Sequence, residues 1–257
     1  MPPVKLKNIE LYSNAMIWGS SGVGKTLLSG TAQKHPKMKD VLFIDFEGGL
    51  QSVAHIDGIL VETVGKDKFG KPNHQTCEDL ERVFWSIVNK EKGYESIKTV
   101  VIDSGTELQT ADLSDIVHAE VKNASKKNRT SLDELTQRDY GINSTRLKRI
   151  FRMFRDAKVN FIVTALARET TDDNGKIIEI TPYFTPKLGA ALMGYMDFVW
   201  YLYVDKEGTR KLLTQPKGPF AAKTRGLEFA NTLGTSVDNP DLSEIFKLLN
   251  GTTVKKK

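Results

Sequence analysis

The chain has 257 residues, 39% hydrophobic and 27% charged, a composition typical of a globular protein able to bury a large core. No apolar run approaches the roughly 20 residues of a membrane span, and residues 1–7 (MPPVKLK) lack the apolar stretch of a signal peptide. Lys and Arg number 37 against 32 acids, a net charge of +5 that permits nucleic-acid binding without establishing it.

The first predicted element is a buried strand at 15–18 (AMIW), followed by a glycine-rich loop and a helix beginning at 26–32 (TLLSGTA). The loop, Gly19, Ser20, Ser21, Gly22, Val23, Gly24, Lys25 and Thr26, fits G-x-x-x-x-G-K-[ST] in the strand–loop–helix context that this motif needs. The glycines let the backbone curl so that several N–H groups face one anion, and the helix N-terminus adds its dipole. Lys25 can reach the β- and γ-phosphates and the Thr26 hydroxyl can ligate Mg²⁺, so the predicted ligands are ATP and Mg²⁺.

Residues 41–47 (VLFIDFE) and 99–104 (TVVIDS) are further apolar runs that end in acids. Continuous rather than alternating apolar character marks strands of a parallel sheet covered on both faces. Between them, 65–73 reads as a polar loop, and 77–88 as a helix with Leu80, Val83, Phe84 and Ile87 on one face. Cys77 is the sole cysteine, which excludes an internal disulfide and points to a reducing cytoplasm. The four histidines show no metal-ligand spacing with it and read as surface or packing residues.

A helix is predicted at 108–121, a basic loop at 123–133, and a helix at 143–156 with Leu147, Ile150, Phe151 and Phe154 on one face. A strand at 159–165 precedes a loop at 168–187. A strand at 198–204 then turns through 205–208 into 211–214 as a hairpin. A frayed basic tail is expected at 251–257. Strand–helix alternation without an interdomain linker predicts a single α/β domain over 1–257, a doubly wound, mainly parallel sheet with a C-terminal β-hairpin. In such sheets ligands sit at the carboxyl ends of the strands, where Lys25, Glu47 and Asp103 all fall.

Asp103, closing its strand before Ser104, has the placing of an aspartate that holds Mg²⁺ through water. An ATPase also needs a group that orients or deprotonates the attacking water. Strand alternation puts Asp45 and Glu47 on one side, with Glu47 further out toward the phosphates. Residues 43–50 (FIDFEGGL) resemble the segment that supplies the catalytic glutamate in RecA-type ATPases. In other P-loop ATPases that glutamate stands beside the Mg²⁺ aspartate, where this chain has Ser104, which cannot act as a base. Lys223-Thr224-Arg225 looks like the Lys-x-Arg finger of RecA-like ring ATPases, which reaches the γ-phosphate held by the neighbouring subunit.

Together these segments, with Asp139-Tyr140-Gly141, residues 161–165 and 201–213, resemble the phage-encoded RecA-like ATPases. These are AAA proteins in the broad sense, some grouped with single-strand annealing proteins and recombinases. The resemblance spans roughly 10–230. It implies a RecA-like P-loop NTPase fold, Glu47 as the base, an oligomer in ring or filament form whose active site Lys223 and Arg225 complete, and a bacterial host cytoplasm. RecA proteins carry a γ-phosphate-sensing Gln near the end of the strand matching 161–165; here Thr164 or Arg168 are the polar candidates for that role.

Single-stranded DNA is the expected partner. Arg146, Lys148, Arg149, Arg152 and Arg155 lie along the 143–156 helix, and Lys122, Lys126, Lys127, Arg129 and Arg138 precede it. By the same resemblance, segments 123–142 and 168–187 face the DNA. In the second, Tyr183 and Phe184 offer base stacking beside Lys176 and Lys187. The alternative is a nucleotide-dependent loader or scaffold for a replication or recombination protein, without DNA binding of its own. A metabolic kinase is the weaker third reading, since no acceptor site is evident.

Overall fold

In a computed structural model of the chain, residues 12–122 and 134–254 are described. In chain order the elements are β1 (Asn14–Gly19), α1 (Lys25–Gly30), β2 (Val41–Asp45), β3 (Leu60–Glu62), α2 (Thr76–Val88), β4 (Thr99–Asp103), α3 (Gly105–Lys122), α4 (Gln137–Asp156), β5 (Asn160–Thr171), β6 (Ile177–Pro182), α5 (Pro186–Tyr195), β7 (Phe198–Val204), β8 (Arg210–Leu213), β9 (Lys223–Thr224), α6 (Leu227–Leu233), β10 (Ser236–Asp238) and α7 (Leu242–Val254).

The strands form one sheet in the order β10-β8-β7-β1-β5-β4-β2-β3, with β6 paired to β5 and β9 to β7. The strands from β7 to β3 run parallel. The turn at 205–208 closes β7 and β8 into the expected antiparallel hairpin, with Val204 opposite Arg210. β10 extends that end of the sheet antiparallel to β8.

Both faces are covered, as the apolar runs predict. On one face Met16, Trp18, Ile44, Ile102 and Val163 pack against α2, α4 and α5 through Leu80, Val83, Leu147, Phe151, Phe154 and Leu188. On the other, Ile17, Phe43, Val101, Ile162 and Trp200 meet α1 and α7 through Leu28, Ile245 and Phe246. Alternate residues of one strand thus serve opposite cores, the period-two consequence of the pleat. No helix among the described residues is long and apolar enough to cross a membrane.

Four sequence expectations change. The 168–187 loop is instead a projecting hairpin and a helix start. β5 continues to Thr171 and pairs with β6, and the turn between them includes Gly175 at φ 78°. β-branched Thr170, Thr171, Ile177 and Ile178 favour the extended backbone. The helix expected from 143 starts at Gln137, because Thr136 and Asp139 form a reciprocal capping box. β3 and α5 were not predicted: β3 has three residues, and α5 opens with Pro186 after a segment that reads as loop. At the C-terminus, α7 carries 251–254, part of the expected tail, in helix. The basic segment 123–133 lies outside the described residues, as do 255–257.

Candidate functional site

The glycine-rich loop bridges β1 and α1 at the carboxyl end of the sheet. Gly19 is required by close approach: a Cβ there would stand 2.2 Å from the Leu202 carbonyl oxygen of β7. Gly22 and Gly24 take φ of 75° and 98°, the left-handed region that glycine occupies without penalty. Gly24 caps α1, and its carbonyl accepts the Leu28 N–H at 2.9 Å. Ser20, Ser21 and Gly22 are exposed at the apex and Val23 is half-buried.

Lys25 is 6% exposed and lies along the loop, its ammonium donating to the Ser20 carbonyl at 2.9 Å and the Gly19 carbonyl at 3.2 Å. Burial lowers its pKa, opposed by the negative charges of Glu47 and Asp103. Thr26 faces the next strand pair: its hydroxyl donates to Asp103 Oδ2 at 2.6 Å. The motif's hydroxyl ligand is Thr26 alone. The next position is Leu27, half-buried in the first turn of α1, and its hydrocarbon side chain can ligate neither phosphate nor cation.

The other Asp103 carboxylate oxygen accepts a hydrogen bond from Thr164 on β5, the strand lying between β1 and β4. Asp103 is fully buried. That burial raises its pKa, while the Thr164 and Thr26 hydrogen bonds pull it down. The Asp103–Ser104 peptide is cis.

Glu47 stands in the turn after β2. Asp45 Oδ1 accepts the N–H groups of Glu47 at 3.1 Å and Gly48 at 2.8 Å, and the Asp103 carbonyl accepts those of Phe46 and Glu47. The Glu47 pKa is raised by desolvation and by Asp103, with Lys25 acting against them. Gly49 follows. A Cβ there would sit 3.3 Å from Thr26 Oγ1 and 3.8 Å from Asp103 Oδ2, so its absence keeps the space beside those two oxygens open. Two hard oxygen donors, open space beside them and a nearby phosphate-binding loop fit a Mg²⁺ ion that keeps part of its water shell.

The structure thus gathers Gly19, Lys25, Thr26, Glu47, Asp103 and Thr164 at one place. Arg168, the other polar candidate, instead donates to the Phe184 carbonyl at 3.3 Å. Lys223 and Arg225 are not in this cluster. β9 pairs with the start of β7, Val199 opposite Lys223, and Ala15 of β1 lies opposite Phe198, so both cations are at the amino end of the sheet. Lys223 donates to the Met193 carbonyl at 2.6 Å and Arg225 pairs with Asp197 at 2.7 Å. Lys223 also borders an open, mostly apolar depression of about 370 Å³ lined by Met193, Val199, Pro216 and Ala221.

One contact was not legible in the sequence. Arg210, on β8, donates from Nε to the Val23 carbonyl at 2.8 Å, and a Cβ on Gly24 would lie 3.0 Å from that nitrogen. A cation from a strand 187 residues downstream therefore braces the loop. No local motif marks it, because only the hairpin turn brings β8 alongside.

The expected DNA-facing residues fare differently. Phe184 is 2% exposed and packs edge-on to Phe151, so it cannot stack on a base; Tyr183 is 51% exposed. On α4, Arg146 pairs with Asp112 and Glu78, Arg149 with Glu81, Arg155 with Asp156, and Arg138 with Glu120. Arg152 donates to the Tyr195 hydroxyl at 2.7 Å. The helix face that reads as basic in sequence is largely neutralised in three dimensions.

The sequence model of one family, described as AAA domain, matches residues 12–226. The chain belongs to the AAA domain family. This AAA domain protein has an α/β fold built on a mainly parallel sheet and is a P-loop ATP hydrolase. Among solved structures, it is similar to the RadB recombinase at 15% identity and TM-score 0.43, covering 80% of this chain and 84% of that one. It is also similar to an ATPase from the type III secretion system of pathogenic bacteria at 15% identity and TM-score 0.44, covering 74% of this chain and 51% of that one. No curated protein is significantly similar in sequence.

Proposed function

We propose that the whole chain is one Mg²⁺-dependent ATPase unit that assembles into a ring or filament and works on single-stranded DNA in phage recombination or annealing, in the host cytoplasm. The observation that carries the hydrolytic part is the Thr26–Asp103 hydrogen bond with Glu47 beside it. In this reading Lys25 and the amides of residues 19–26 bind the phosphates, and Thr26 and Asp103 hold the cation. Bound Mg²⁺ supplies charge neutralisation at the β- and γ-phosphates. Glu47 orients a water against the γ-phosphorus and accepts its proton. The new P–O bond forms as the bond to the β–γ bridging oxygen breaks, and that oxygen leaves with ADP. Thr164 fixes the Asp103 carboxylate. Lys223 and Arg225, remote from their own Lys25, serve the site of the next subunit, once Arg225 leaves Asp197.

Steady-state ATPase assays test this. Glu47→Gln lowers kcat by about a hundredfold or more while ATP still binds, the scale of a lost general base. Hydrolysis by Glu47→Gln at the wild-type rate refutes the assignment. Activity rises with protein concentration and with single-stranded DNA; a rate flat in both removes the assembly and DNA parts.

The α4 ion pairs favour the second reading, a nucleotide-dependent loader or scaffold for a replication or recombination protein. Salt-titrated binding to an oligonucleotide separates the two, because electrostatic association weakens steeply with salt. A scaffold shows no binding even at low salt.

A further inference from the structure

With Phe184 buried and the α4 arginines paired, the stacking-plus-cation design expected of single-strand binding is missing where the sequence placed it. It is present elsewhere. Residues 65–73, after β3, form a closed turn: Lys66 bridges to Pro72, and the Asp67 N–H donates to the Lys71 carbonyl at 2.8 Å. Asp67 Oδ1 accepts the N–H groups of Phe69 at 2.8 Å and Lys71 at 3.0 Å. Asp79 of α2 anchors both ends, accepting from Gly65 N at 3.1 Å and Asn73 Nδ2 at 2.8 Å. The turn therefore holds its tip away from the core.

At that tip Phe69 is 76% exposed. A lone exposed aromatic needs no explanation. This one carries the Lys68 ammonium 5.1 Å from its ring centre and has Lys66 and Lys71 on either side, with all three lysines exposed. Among the described residues none of the three has an ion pair, in contrast to the arginines of α4. The one acid in the turn, Asp67, is occupied by backbone donors. β3 is parallel to β2, so the turn leaves the sheet at the same carboxyl end as the phosphate loop.

We propose that the 65–73 turn is a single-stranded nucleic-acid contact, in which the Phe69 ring stacks on a base and Lys66, Lys68 and Lys71 hold the flanking phosphates. Every base has a π-face, so the contact is sequence-neutral, and the fixed turn holds the ring in place before binding. This inference rests on the DNA-binding reading above and adds the residues that carry it.

The test uses the full chain and a fluorescein-labelled oligothymidylate, with anisotropy read across a salt titration. Phe69→Ala weakens binding about tenfold, the scale of one lost base stack. Phe69→Trp keeps binding, and its indole emission is quenched by the unlabelled oligonucleotide. The triple variant Lys66→Gln, Lys68→Gln, Lys71→Gln reduces the slope of log K against log salt by about two, as expected for three phosphate contacts on a single strand. Wild-type-like binding by both Phe69→Ala and the triple variant overturns the proposal and leaves the DNA reading intact. Absence of binding by the wild type at low salt overturns both. Phe69-dependent binding to phosphatidylglycerol vesicles without an effect on the oligonucleotide overturns it in favour of a lipid surface.

Discussion

At the residue scale, single side chains reach the phosphate loop by different routes. Lys25 and Thr26 come from the motif itself. Arg210 arrives through the β7–β8 hairpin and holds the Val23 carbonyl. Arg210→Ala should therefore raise the Kd for ATP roughly tenfold, since a charge-assisted hydrogen bond contributes about 1.5 kcal/mol, and Arg210→Lys should recover part of the loss; isothermal titration measures both. Cys77 shows the reverse case of a reactive residue type made inert. It is fully buried and donates to Asp112 Oδ1 at 3.1 Å, and burial beside that carboxylate pushes its thiol far above the ordinary value of 9.0. Above about pH 9 the unfolded chain loses this proton and the folded chain keeps it, so stability falls as pH rises there, by up to about 1.4 kcal/mol per pH unit from this group. Urea melts at successive alkaline pH values should show that slope reduced in Cys77→Ser.

At the element scale, α2, α3 and α4 are joined by a buried polar network. Asp112 of α3 is fully buried; it accepts from Asn143 of α4 at 2.9 Å and pairs with Arg146 at 3.0 Å, alongside Cys77 of α2. Removing the cation leaves a buried carboxylate uncompensated. Arg146→Ala is expected to destabilise the fold by about 3 kcal/mol, the low end for a broken buried pair because solvent reaches part of Arg146. Adding Asp112→Asn should restore a good part of that loss; thermal melts of the single and double variants measure the coupling. The same network explains why a row of arginines read from sequence as a DNA-facing strip. Helical spacing places them on one helix, but only the neighbouring helices reveal the carboxylate partners of Arg138, Arg146 and Arg149.

At the scale of the whole molecule, the sheet separates two sets of charged groups. Lys25, Glu47 and Asp103 occupy the carboxyl end and Lys223 and Arg225 the amino end, so one subunit cannot bring the two sets together. If Lys223 and Arg225 act across a subunit boundary, mixing Lys25→Ala with Arg225→Ala protein should restore ATPase activity that neither has alone, because some interfaces then pair an intact loop with an intact finger. Activity of the mixture no greater than the sum of the two parts counts against a shared site.

The sequence by itself determined the parallel sheet, the phosphate loop, the strand-end Asp103 and the nearby Glu47. Each is written in a contiguous stretch whose periodicity or residue order dictates local geometry. Boundaries that depended on a cap, such as the Gln137 start of α4, and short elements such as β3, were less legible because few residues carry their signal. Tertiary structure alone decided which charges are free. It paired Arg146 and Arg149 of α4 with acids from α2 and α3, turned Phe184 into the core, brought Arg210 to Val23, and left Phe69 exposed among lysines with no ion pair in the described residues. Electrostatic pairing and burial depend on distances between residues far apart in the chain, and no local pattern encodes those distances.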